Sequence, residues 1–144
     1  MRKKRRTTGR PEMLRRNVVV SSVSMRVSQH AVHQRGCEPE IEGQPWLEIR
    51  GTLDEPVGGV PDIEFSLYPK EKVEVGSARP ASVGAIIQVK PHVRAVVPFA
   101  RSDFDGLWSF ALSGQLKHAY LAFTKPRYGS GLVVNVSFSS EPEE

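Results

Sequence analysis

Apolar and polar residues alternate along most of this chain, the period-two pattern of strands with one face in a core and one in water. Trp46–Leu53 sets Leu47, Ile49, Gly51 and Leu53 against Trp46, Glu48, Arg50 and Thr52. Ile63–Tyr68 repeats the pattern, with Ile63, Phe65 and Leu67 inward and Glu64, Ser66 and Tyr68 outward. Val83–Val89 places Val83, Ala85, Ile87 and Val89 on one side and Ile86 and Gln88 on the other, and Val93–Phe99 uses Val93, Ala95, Val97 and Phe99. Gln115–Thr124 groups Ala119, Leu121 and Phe123, while Leu132–Ser139 turns Leu132, Val134, Val136 and Phe138 toward a core. The first strand is Leu14–Val27, with Val19, Val23, Met25 and Val27 on its apolar face; its Val and Ser content disfavours a helix.

One stretch breaks the period. In Ser102–Gly114, Phe104, Leu107, Trp108 and Ala111 recur at helical spacing, so a short amphipathic helix is predicted near 103–113. Ser102 is its predicted N-cap, Asp103 and Asp105 favour its positive end, and Gly114 suits its left-handed end. The competing reading is a strand carrying Trp108, Phe110 and Leu112, and Gly106 weakens the helix. Gln29–Gln44, Asp54–Pro61 and Lys125–Gly131 read as loops from their Gly, Pro and polar content.

About seven strands at this spacing, without β–α alternation, predict a mainly β fold. The architecture expected is an antiparallel two-layer β-sandwich with one short helix near 103–113; the alternative is a small open β-barrel. The expected domains are a basic disordered arm over 1–13, a single β-rich domain over 14–140 and an acidic tail over 141–144.

Charge sharpens this division. Of 20 Lys and Arg and 16 Asp and Glu, residues 1–37 hold ten bases and one acid, leaving ten bases and fifteen acids beyond. The basic character therefore belongs to the N-terminal arm, and the body is mildly acidic. A single cysteine, Cys37, allows no intrachain disulfide and fits a reducing, cytoplasmic setting. No apolar run approaches a membrane span, so no membrane partner is expected. A chain of 144 residues buries enough surface to need no metal or cofactor as a staple.

Catalytic signatures are sparse. Gly58-Gly59 lies between prolines rather than before a helix with a lysine, so it is no phosphate loop. No Gly-x-Ser-x-Gly elbow occurs. His30-x-x-His33-x-x-x-Cys37 supplies zinc-type donors beside Glu38, but a closed site wants four ligands and no Cys-x-x-Cys pair joins them. No catalytic residue and no metal ligand is assigned. Binding candidates are Lys125, Arg127 and Tyr128, two cations and an aromatic on one loop suited to phosphate and base contact, and the arm cations Arg2, Lys3, Lys4, Arg5 and Arg6. The function expected is a non-catalytic interaction module binding another macromolecule, first a protein, through a sheet edge or face. The alternatives are a nucleic-acid-binding protein using the basic arm and a small metal-assisted hydrolase using His30, His33 and Cys37; a homo-oligomer is compatible with the first reading.

Overall fold

A computed structural model describes residues 11–71 and 80–142. Seven strands and one helix follow in the order β1 (Met13–Val32), β2 (Glu40–Val57), β3 (Val60–Lys70), β4 (Gly84–Gln88), β5 (Val93–Ala100), α1 (Arg101–Leu112), β6 (His118–Thr124) and β7 (Gly131–Ser139). The mainly β domain of about seven strands with one helix is therefore present as the alternation predicts. Its layers are continuous at their edges: hydrogen bonding closes the strands into a ring in the order β1-β2-β3-β5-β4-β7-β6, and β6 returns to β1. Opposite walls meet across the interior, where Phe65 of β3 packs edge-on against Phe138 of β7 at 5.2 Å.

Every pair is antiparallel except β3 and β5, which run parallel from Ile63↔Val93 to Lys70↔Ala100. A parallel pair needs a long crossover. The chain between β3 and β5 provides it and leaves β4 on the far side of β5.

The core is the one predicted for β2, β3 and β5: Leu47, Ile49, Ile63, Phe65, Leu67, Val93, Ala95 and Val97 are all buried. Each large apolar side chain removed from water contributes about 1.5–3 kcal/mol. The helix closes one side with its predicted face. Phe104 and Ala111 are buried, and Leu107 and Trp108 pack against the core from the flank. It starts at Arg101 with Ala100 as its N-cap and no side-chain cap, so Ser102 lies inside the first turn instead of before it. Gly114 has the left-handed φ of +75° expected of it.

Three predicted faces are reversed over part of their length, and irregular register accompanies each. In β1 the pairing with β2 skips Ser21 between Val20 and Ser22. Val18 is consequently buried before the bulge, Val19 is exposed, and Val23 and Met25 reach the core after it. In β7 the pairing passes from Asn135 to Val133, so Val134 is the extra residue and Val133 takes the buried place beside Val136 and Phe138. In β4 the register shifts between Ile86 and Gln88; Ile86 is buried, and Val83 and Ile87 are exposed. One inserted residue exchanges the two faces of everything beyond it.

The segment predicted as a loop, Gln29–Gln44, is largely strand. Pairing between β1 and β2 continues out to Val32↔Glu40. Main-chain bonding carries the ladder through residues whose side chains show no apolar alternation.

Candidate functional site

Most strands of the ring have a neighbour on each side, but the outer halves of β1 and β2 have only each other. β6 accompanies β1 only from Met13 to Val19, with one further bond from the Val20 N–H to the Lys117 carbonyl at 2.9 Å. β3 accompanies β2 only from Leu47 onward. Ser22–Val32 and Glu40–Trp46 therefore form a two-stranded ribbon that leaves the ring. Eleven residues in extended form span about 37 Å. At its tip Gly36 takes a φ of +83°, and the Cys37 N–H donates to the Gln34 carbonyl at 2.9 Å.

The root is well anchored. Val23 and Met25 lie opposite the buried Ile49 and Leu47 and pack on the core. Trp46, where β2 leaves the ring, stacks on Tyr68 with ring centres 5.0 Å apart, so it packs as a fold contact. Arg26 faces Glu48 at 4.0 Å on the polar side. Farther out the apolar stripe continues into solvent: Val27 is 71% exposed.

The two free edges of the ribbon differ. The β2 edge carries Pro45, follows Pro39, and holds Glu40 close after Glu38. Proline lacks a donor and charge repels a further strand, both of which blunt an edge. From Ser22 to Val32 the β1 edge contains no proline and no acid, and its one permanent charge is Arg26. Among the described residues no strand pairs with it beyond the Lys117 contact.

A polar cluster sits at the same root. Glu64, predicted to face solvent, is buried, and its carboxylate lies 3.1 Å from His92 Nε2 and 3.6 Å from Arg50 Nε. Arg50 is the cross-strand partner of Glu64 on β2, while His92 immediately precedes β5. With Ser21, Gly51 and Asp62 these side chains line a depression of about 340 Å³. Gly51 is required there: a Cβ would lie 2.5 Å from Val18 Cγ1 and from the Val19 carbonyl, where the bulged β1 crosses closely. The Glu64 carboxylate, with Arg50 and His92 beside it, links β2, β3 and the start of β5 beneath the ribbon. Sequence reading missed Glu64 because His92, remote in sequence, is brought beside it by the parallel β3–β5 pairing.

The residues singled out from sequence fall elsewhere. Lys125 pairs with Glu12 at 3.5 Å, and its N–H donates to the Glu12 carbonyl at 2.7 Å. Arg127 and Ser130 exchange main-chain bonds of 2.8 and 3.0 Å around a two-residue turn. Tyr128 and Gly129 hold that turn with φ of +54° and +78°, and the Tyr128 side chain is fully exposed. Lys125 and Arg127 border a depression of about 470 Å³ that reaches Pro11. Arg2, Lys3, Lys4, Arg5 and Arg6 lie outside the described residues. His30 is in register with Glu42 along the ribbon, whereas His33 and Cys37 lie in the tip segment beyond β1. Among the described residues no three His, Cys, Asp or Glu side chains gather to hold a metal, and no helix is long and apolar enough to cross a membrane.

Comparison with family models, with curated proteins and with solved structures finds no match.

Proposed function

We propose that this chain is a non-catalytic protein-interaction module whose docking element is the β1 edge of the ribbon. The partner contributes an extended strand that pairs with Ser22–Val32 through main-chain hydrogen bonds. The exposed Val27, where the apolar stripe leaves the core, supplies side-chain contact. The observation that carries this reading is the contrast between edges, with β2 blunted by Pro45 and its glutamates and β1 left open. A two-stranded ribbon alone is marginal in water, and a third strand supplies the missing support. The exposed lone Cys37 fits a reducing compartment for this module.

A photo-crosslinking amino acid at position 27, expressed in the source organism, tests the reading. An adduct with a polypeptide is expected at position 27 and not at Ile87, an exposed residue of β4. Equal adducts at both positions, or none at 27, would rule it out.

The exposed Tyr128 beside Arg127 favours a second reading, nucleic-acid contact at the Lys125–Ser130 turn together with the basic arm. Its sign is binding that falls steeply with salt and is lost on Tyr128→Ala with Arg127→Ala. Binding unchanged by that double substitution would remove the turn from consideration.

A further inference from the structure

Resting on the ribbon reading, we infer that the strand received by the β1 edge is the same edge of a second copy of this chain, in antiparallel pairing about a two-fold axis at Val27. Main-chain direction comes first. The Val20 N–H points away from β2, toward Lys117. The extra residue Ser21 reverses that sense, so Val23, Met25, Val27, Gln29 and Ala31 turn their N–H and carbonyl groups to the open side. Val27 is the midpoint of the open edge and its most exposed large apolar residue, so centring there gives the longest overlap.

The side chains of that edge are self-complementary. Around Val27, Met25 meets Gln29 of the second copy, Val23 meets Ala31, Arg26 meets Ser28 and Ser24 meets His30. No like charges stand opposite each other, and the two apolar stripes fall on one side of the joined sheet. The same operation on the β2 edge would draw Glu38 and Glu40 of both copies onto one seam. Closure follows from this asymmetry. The joined sheet has the order β2-β1-β1-β2 and ends in a proline-bearing, acidic edge on each side, so assembly stops at two.

Sedimentation of the full chain over a concentration series tests this. The expected species is a dimer of twice 16.0 kDa. Val27→Lys sets two ammonium groups face to face and is expected to weaken the dimer by at least roughly tenfold, with an unchanged circular-dichroism spectrum. In a Cys37→Ser background, Val27→Cys is expected to form a disulfide-linked dimer, since facing Cα atoms in such a pair lie about 5.5 Å apart. Ile87→Cys in that background is the control and is expected to stay unlinked. A chain that stays monomeric at every concentration, a dimer indifferent to Val27→Lys, or equal linking at 27 and 87 overturns the inference. With a monomeric chain, an adduct at position 27 to a different polypeptide leaves the docking reading standing, and no adduct removes both.

Discussion

The ring and the ribbon are made partly from the same two strands, yet they are held by different forces. Val18 of β1 pairs with both Leu53 and Ala119, Ile49 of β2 pairs with both Val23 and Phe65, and both side chains are buried. Val27 and its register partner Pro45 lie in the ribbon half, with one neighbour each. In the ring, apolar burial dominates and the ladder completes it. In the ribbon the ladder runs on with little burial, so its stability comes from the root: Val23, Met25, the Trp46–Tyr68 stack and the Arg26–Glu48 pair. The difference teaches that a strand can be set by neighbours on both sides at one end and keep an open edge at the other.

The largest expected break in this comparison is Phe65→Ala. It empties the contact with Phe138 and should cost about 3–5 kcal/mol in chemical denaturation, with ring and ribbon lost together. A ribbon that melts while the ring survives would contradict its dependence on the core. Glu64→Gln removes the charge that His92 and Arg50 share, and about 1–3 kcal/mol is expected. A neutral result would mean that this cluster does not brace the root. Excising residues 27–45 and joining Arg26 to Trp46 through Asn-Gly should change ring stability by less than about 1 kcal/mol while abolishing self-association. Collapse of the shortened chain would show that the ribbon supports the ring. The smallest effect is at the far turn, where Tyr128 holds a left-handed φ that Asn accepts more readily. Tyr128→Asn is expected to stabilise by a few tenths of a kcal/mol, up to about 1, by thermal melting. A loss instead would show that the aromatic ring has a stabilising contact.

How much of this was legible beforehand follows from the same division. β2, β3 and β5 carry unbroken alternation across the inward positions Leu47, Ile49, Ile63, Phe65, Leu67, Val93, Ala95 and Val97, and their core face could be read directly. The helix could be read from Phe104, Leu107, Trp108 and Ala111. The reversals in β1 and β7 could not, because nothing about Ser21 or Val134 marks it as the inserted residue; register is decided by the partner strand. The ribbon was hidden for a related reason. Gln29, His30, Gly43 and Gln44 have loop-like side chains, and main-chain pairing leaves no trace in composition. The open β1 edge therefore escaped sequence reading, while Lys125, Arg127 and Tyr128 were visible as charged and aromatic residues on a turn.

Amide exchange along β1 tests the central claim most directly. The outward N–H groups of Met25, Val27 and Gln29 are followed in the full chain by nuclear magnetic resonance at high and low protein concentration. Pairing of the open edge predicts that these three are protected when concentrated and lose protection on dilution, while the amides of Phe65 and Leu121 in the ring do not change. Exchange of all three at unprotected rates at every concentration would contradict it.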